Sequence, residues 1–179
     1  MGDGASRAIW MHRALFVAIA FALLFLRMLP LGGDAGALPG PDILLCLTFA
    51  WTMRRPDYLP VLLIAGVVVL EDLILMRPPG LWTALVVIAS EFIRNRVALT
   101  RELNFGVEWL LVAGLMVGLL IAYRLVFALL LMPQPGFGFA LVQVVWSIIA
   151  YPAVVALSLL VLDLHKPAMG EVDAYGRRM

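Results

Sequence analysis

The chain is poor in the residues that build catalytic and metal sites. Its 179 residues include one cysteine, Cys46, and two histidines, His12 and His165. A single cysteine excludes an intrachain disulfide, and an apolar run around Cys46 favours a small packed thiol. Both histidines lie at the ends of apolar segments, so no histidine pair is placed for a metal and none serves a nucleophile. A glycine-rich phosphate loop is also absent, and we expect neither an enzyme nor a cofactor.

Charged residues are scarce as well. They make up 14% of the chain, and the net charge of +1 gives no reason to expect a nucleic-acid partner. Hydrophobic residues make up 64%, whereas soluble domains contain about 45–50% apolar residues. No hydrophilic stretch is long enough to form a second domain. We therefore predict an integral membrane protein in which residues 1–179 form one domain.

Proline and glycine segments divide the apolar sequence into six predicted helices. The predicted spans cover residues 12–31, 41–53, 58–76, 81–95, 105–132 and 139–162. The second is shorter than the roughly 20 residues of a full crossing, so either loop residues extend it or it lies in a partly shielded position. The first follows a basic start, as a signal peptide does, but its apolar run is too long for one and we expect it to be retained.

The basic residues near the span ends predict the orientation. If the amino terminus is cytoplasmic, the inner segments hold 10 of the 13 basic residues, as expected for membrane proteins. An odd number of spans would place one terminus and its basic residues on the outer side. The predicted fold is therefore an all-α bundle of six transmembrane helices with both termini in the cytoplasm.

Several charged side chains fall in the predicted outer half of the membrane. The adjacent carboxylates Glu71 and Asp72 lie about 6–8 Å from the outer end of the third span, and Arg27, Asp42 and Arg124 fall in the same half. Ionised side chains at such depth face the protein interior, a water-filled cavity or a partner. Two interpretations are compatible with this placement. Arg124 pairs with Asp72 or Glu71 and fastens two helices, or the group lines a cavity that binds a ligand or a partner helix.

Other features have simpler interpretations. Glu91 and Glu108 lie near the inner boundary with several arginines, where we expect long side chains to reach the interface and anchor the helices. Ala14, Ala18 and Ala22 repeat every four residues, which either provides a stripe for close helix packing or reflects an alanine-rich sequence. The tryptophans lie near predicted interfaces and are expected to form aromatic belts; they are Trp10, Trp51, Trp82, Trp109 and Trp146.

A set of short motifs carries a family resemblance. Pro41-Asp42 opens the second span, Arg54-Arg55-Pro56 ends it, and Gly66 precedes Asp72 and the turn Arg77-Pro78-Pro79-Gly80. In their order and spacing, and in length and layout, these motifs resemble the MreD family of rod-shape-determining inner-membrane proteins. Pro79 stands where the family usually has leucine, and Glu71 is an addition to its pattern. The positions that match the family are Asp42, Asp72, Pro79 and Gly80.

The resemblance implies a non-enzymatic scaffold of the cell-elongation complex in the bacterial inner membrane. Such a scaffold binds MreC and, through it, MreB, RodA and a class B penicillin-binding transpeptidase, and it supports lateral peptidoglycan synthesis and the regulation of cell shape. The layout is also similar to the substrate-binding subunits of energy-coupling-factor transporters, whose cavity opens outward. The alternative function is therefore a small-molecule-binding subunit or carrier. The basic inner loops are expected to meet membrane lipids.

Overall fold

The computed structural model describes residues 3–29, 39–100, 104–134 and 136–162. These residues contain no strand, and they form six α-helices and one 3₁₀ turn. The predicted all-helical class is therefore confirmed, and each helix overlaps one predicted span. The helices are α1 (Asp3–Met28), α2 (Ile43–Arg54), α3 (Val61–Ile74), α4 (Leu81–Thr100), α5 (Phe105–Leu129) and α6 (Phe137–Leu162), and the 3₁₀ turn at Pro56–Tyr58 follows α2.

Among the described residues, three helical segments are long and apolar enough to cross a membrane. They are Arg7–Met28 within α1, Phe105–Leu129, which is α5, and Phe137–Leu160 within α6. This apolar composition is that of a membrane protein, whereas the crossing of all six helices remains a prediction. Residues 1–2, 30–38, 101–103, 135 and 163–179 lie outside the described residues, and so do Lys166, Arg177 and Arg178 of the predicted cytoplasmic carboxyl terminus.

Successive helices run in opposite directions, so the bundle has two ends. At the Arg27 end, α1, α3 and α5 finish and α2, α4 and α6 begin; at the Arg54 end the reverse holds. The Arg54 end is closed by contacts between elements. The ring of His12 stacks on Tyr58 with centroids 4.4 Å apart, and Arg94 donates to the carbonyl of Leu59. The Arg27 end corresponds to the predicted outer side.

The short helix α2 lies in the centre of the bundle. Its 12 residues extend about 18 Å, and all of them from Leu44 to Arg54 are buried. It packs most extensively against α6 and α4. A helix that is apolar on every side is stable when other helices surround it. The second span was expected either to be extended by loop residues or to lie in a partly shielded position. The structure has a short, buried helix, which agrees with the shielded position.

Helix α1 lies at the periphery, and the alanine stripe is not on its inward face. Phe16, Ala20 and Leu24 are buried against the bundle, whereas the stripe of Ala14, Ala18 and Ala22 is exposed. Both sets repeat every four residues, and an offset of two residues is about 200° on a helix, so they lie on opposite faces. The alanine stripe is therefore not a packing surface within this chain.

The tryptophans divide into belt and core residues. Trp10 and Trp146 are exposed, as a belt position requires. Trp51 is fully buried, and its ring centroid lies 5.4 Å from that of Phe16. The belt prediction is wrong for Trp51 because α2 lies inside the bundle, where no residue of its last turns reaches the surface.

Candidate functional site

A cluster of charged side chains from several elements occupies the Arg27 end. Arg27 comes from α1, Asp42 precedes α2, and Glu71 and Asp72 lie in the last turn of α3. The three carboxylate residues are 0–4% exposed, whereas the side chain of Arg27 keeps 28% of its surface exposed. The structure thus brings together four of the charged residues that the sequence placed in the outer half.

Glu71 is the centre of this cluster. Its Oε1 atom accepts a hydrogen bond from Nη1 of Arg27, and Nη1 of Arg77 lies 3.9 Å from the same oxygen. The Arg27 nitrogen also lies 3.9 Å from Oδ1 of Asp42. The arginine that pairs with Glu71 is therefore Arg27, and not Arg124 as the sequence suggested. Depth along a helix does not reveal its neighbours: α3 packs against α1 and α4, whereas α5 packs against α4 and α6.

Asp72 has a different set of partners and caps a neighbouring helix. Its Oδ2 atom accepts from the backbone N–H of Gly80 at 3.2 Å, the backbone N–H of Thr83 at 3.3 Å and the Thr83 hydroxyl at 2.8 Å. The first N–H groups of a helix have no partner within it, so a carboxylate stabilises the start of α4. Gly80 has φ = +93°, which glycine adopts without strain. The predicted turn at Pro79-Gly80 thus presents its backbone to Asp72.

Asp42 caps a helix as well. Its Oδ1 accepts from the backbone N–H of Leu45 at 3.1 Å, which is the usual N-cap arrangement. Its own backbone N–H donates to the hydroxyl of Ser147 at 2.8 Å, and this bond joins the start of α2 to α6. The prediction that a proline and an acid begin the second helix therefore describes its local geometry correctly.

A cavity of about 910 Å³ lies beside the cluster. Its walls come from α1, α2, α5 and α6 and from the segment around α4's start. Small-molecule sites typically measure about 300–1,000 Å³, so the volume is sufficient for a ligand. The charged and amide side chains that line it are Arg27, Asp42, Arg77, Arg124, Gln134 and Gln143.

Arg124 is a wall residue of this cavity. The carbon of its guanidinium lies 5.1 Å from the ring centroid of Phe137, and the amide of Gln134 donates to its backbone carbonyl at 3.1 Å. These contacts hold the end of α5 against the start of α6. The position of Arg124 corresponds to the second sequence interpretation, in which the charged group lines a cavity.

A second buried ion pair lies at the Arg54 end, and the sequence analysis missed it. Nη1 of Arg54 lies 2.7 Å from Oε1 of Glu108, and the Tyr151 hydroxyl donates to the same oxygen at 2.9 Å. Glu108 is 1% exposed, so the expectation that it anchors the helix at the interface is wrong. The sequence did contain two signals of this site: Arg54 and Glu108 have opposite charges at a similar predicted depth, and Tyr151 lies within an apolar span. Glu91 does lie near the surface, where it pairs with Arg94 at 3.1 Å.

The described residues contain no group of three or more metal-ligating side chains. Glu71, Glu91 and Glu108 are instead paired with arginines, and Asp42 and Asp72 cap helices. No family model, no curated protein and no solved structure matches this chain.

Proposed function

We propose that the protein is a non-enzymatic scaffold of the bacterial cell-elongation complex. It crosses the inner membrane six times with both termini in the cytoplasm, and it docks MreC and, through it, MreB, RodA and a class B penicillin-binding transpeptidase. The observation that carries this proposal is that the motif residues Asp42, Asp72 and Gly80 all shape the Arg27 end by hydrogen bonds. These three positions, which match the pattern of the MreD family, thus support one surface of the molecule.

The chemistry of this end favours binding over catalysis. Asp72 is fully buried and accepts three hydrogen bonds, and Glu71 is paired with an arginine. Neither carboxylate is presented to a reacting molecule. What reaches the surface is the partly exposed side chain of Arg27 and the apolar outer face of α1. Such a surface suits a partner helix better than a substrate.

The docking surface is the outer face of α1 together with the Arg27 end. Helix α1 packs mainly against α2, α3 and the 3₁₀ turn, which leaves the stripe of Ala14, Ala18 and Ala22 exposed. Small residues allow close approach between membrane helices, and polar contacts there add only about 0.5–2 kcal/mol each. The transmembrane helix of MreC therefore packs along the stripe, and its juxtamembrane part meets Arg27.

Co-purification of tagged protein with MreC from native membranes tests this function. Ala18→Trp places a large side chain on the stripe and should reduce the recovered MreC at least about tenfold. The matched control Ala153→Trp alters an exposed alanine of α6 and should leave recovery unchanged. Recovery that is equal in both variants would show that α1 is not the docking face. Absence of MreC with the unmodified protein would overturn the scaffold function itself.

The second candidate function is a small-molecule-binding subunit or carrier. It is supported by the cavity of about 910 Å³ at the Arg27 end. A carrier requires ligand binding to the purified chain without MreC, whereas the scaffold requires MreC recovery. The two measurements therefore separate the candidates.

A further inference from the structure

The outer faces of the helices differ in the length of their exposed apolar surface. On α5, exposed apolar side chains extend from Val107 to Leu129, a rise of about 33 Å. On α6 they extend from Phe137 to Leu160, or about 35 Å. Because the hydrocarbon core of a bilayer is about 30 Å thick, either face is long enough to cross it with some tilt.

The hairpin of α3 and α4 has a much shorter apolar face. On α3 the exposed apolar side chains extend from Leu62 to Leu73, about 17 Å along the axis, and Met76 in the following turn extends the face to about 21 Å. On α4 the exposed apolar side chains that precede the first exposed polar residue extend from Ala84 to Phe92, about 12 Å. Tilt does not compensate for this, because a tilted helix spans less of the membrane than an upright one.

Charged side chains lie at both ends of this face. In the turn between the two helices, the side chain of Arg77 is partly exposed. At the Arg54 end, Arg94 pairs with Glu91 at 3.1 Å, and Arg96 is exposed one turn after Phe92. The rise from the start of α4 to Arg94 is about 20 Å. The charged boundaries are therefore about 10 Å closer together than the two edges of an ordinary hydrocarbon core.

The arginines at these boundaries are held at the level of the hairpin. The guanidinium of Arg77 lies over the ring of Trp82, in the first turn of α4, at 5.4 Å from the centroid. Arg94 donates to the carbonyl of Leu59, which lies just before α3. Long side chains elsewhere extend to a distant interface by snorkelling, but these contacts direct both arginines back onto the hairpin. Side-chain reach therefore does not remove the mismatch.

A bilayer accommodates a short apolar face by becoming thinner around it. We propose that the bilayer is thinned along the α3–α4 face and that phospholipids cover this face, with their phosphates level with Arg77 in one leaflet and with Arg94 and Arg96 in the other. Arginines at these levels suit the negatively charged phosphates. The inference rests on the proposed crossing of the membrane by α3 and α4, and it is independent of the partner that the protein docks.

Depth measurements on the purified full chain, reconstituted in dioleoyl phosphatidylcholine, test the thinning. Leu62→Cys and Leu73→Cys each carry a nitroxide label, whose depth follows from its accessibility to oxygen relative to a water-soluble nickel complex. The matched control is the pair Leu110→Cys and Ile121→Cys, which are exposed on α5 and have the same separation of about 17 Å. The native Cys46 is fully buried and does not compete for the label.

The sum of the two depths, each measured from its nearer interface, reports the local thickness of the core. We expect this sum to be about 10 Å smaller for the α3 pair than for the α5 pair. Equal sums would overturn the proposal. Low oxygen accessibility of both α3 labels would also overturn it, because a second copy of the chain would then cover the face. If a leucine variant does not fold, Ala84→Cys and Phe92→Cys on α4 provide a second pair.

Labelling of intact membranes separates this inference from the topology beneath it. Pro79→Cys in the turn and Asn95→Cys near the end of α4 replace exposed residues, and an impermeant maleimide should modify them from opposite sides. If both react from the same side, the hairpin does not cross, and the inference fails together with the six-span topology. If they react from opposite sides and the summed depths are equal, the thinning alone is wrong and the recovery of MreC is unaffected.

Discussion

The two ends of the bundle each contain a buried glutamate with an arginine partner, yet the two sites differ in access. Glu71 and Glu108 are 2% and 1% exposed. The side chain of Arg54, which pairs with Glu108, is 4% exposed, whereas that of Arg27, which pairs with Glu71, is 28% exposed. The pair at the Arg54 end is thus almost fully buried, beside a cavity of about 380 Å³, whereas the partly exposed arginine at the Arg27 end lies beside the larger cavity of about 910 Å³. Burial of the carboxylate therefore does not distinguish the two sites, whereas the exposed fraction of the paired arginine does.

The surroundings of the two glutamates differ as well. Glu108 contacts Arg54 and the Tyr151 hydroxyl, and these contacts join α2, α5 and α6. Glu71 has a second arginine, Arg77, at 3.9 Å, and the cavity beside it is large enough for water or a ligand. Because the arginine that pairs with Glu108 is the more deeply buried one, loss of the paired arginine should be costlier at the Arg54 end than at the Arg27 end.

The largest effect is expected from Arg54→Met. This change removes the Arg54 guanidinium from the buried Glu108 carboxylate, and breaking a buried pair typically costs about 3–5 kcal/mol. Unfolding in sodium dodecyl sulfate, followed by circular dichroism, measures the loss. The double variant Arg54→Met with Glu108→Leu should recover most of it, because removal of both charges is often neutral.

A surface pair serves as the control for that experiment. Glu91 and Arg94 form an ion pair with partly exposed side chains, and Glu91→Gln should cost less than about 1 kcal/mol. Two outcomes would contradict a strong interaction between Arg54 and Glu108. One is a cost for Arg54→Met as small as that for Glu91→Gln, and the other is a double variant as unstable as the sum of the single variants.

Asp72→Ala should have the next largest effect. It leaves two backbone N–H groups at the start of α4 and the Thr83 hydroxyl without their acceptor, and we expect a cost of about 2–3 kcal/mol from the loss of hydrogen bonds to a charged group. Amide hydrogen exchange at Gly80 and Thr83 should become faster. Thr83→Val removes one bond of the three and should cost about 1 kcal/mol. Unchanged exchange at Gly80 would show that Asp72 is not a cap.

The segmentation of the chain was predictable because the segments rich in proline and glycine separate helices, although single residues such as Pro152 and Gly66 lie inside α6 and α3. Pro56 and the turn at Pro79-Gly80 separate helices as expected, and the order of charges along the chain correctly assigned Arg27 and Asp42 to one end. These features depend on local backbone chemistry and on chain direction alone.

The neighbours of each helix were not predictable. A face that packs on another helix and a face that meets lipid are both apolar, so periodicity does not distinguish them in such a sequence. For this reason the sequence did not show that Phe16, rather than the alanine stripe of α1, lies against the bundle. Glu108 was placed at the interface for a related reason, since its depth along α5 was clear while the proximity of Arg54 depended on the packing of α2.

A milder effect is expected from Arg27→Met at the open site. Glu71 keeps Arg77 nearby and the side chain of Arg27 is 28% exposed, so we expect a loss of about 1.5 kcal/mol, the lower end of the range for one hydrogen bond to a charged group. The same unfolding assay gives a direct comparison with Arg54→Met. Adding Arg77→Met should cost more than either single change, because Glu71 then has neither arginine. A loss for Arg27→Met as large as that for Arg54→Met would show that the exposed fraction of the paired arginine does not determine the cost.

The smallest effect is expected at the glycine that presents its N–H to Asp72. Gly80 has φ = +93° and nothing within 4 Å of an added Cβ, so Gly80→Ala introduces backbone strain without a clash and should cost about 1 kcal/mol. Gly66 in α3 has equal space at a position inside a helix, where alanine is favoured by about 0.5–1 kcal/mol. The two substitutions add the same methyl group and should change the free energy of unfolding in opposite directions. If both stabilise the chain, the turn at Gly80 does not hold its left-handed conformation, and the cap that Asp72 places on α4 has a different geometry.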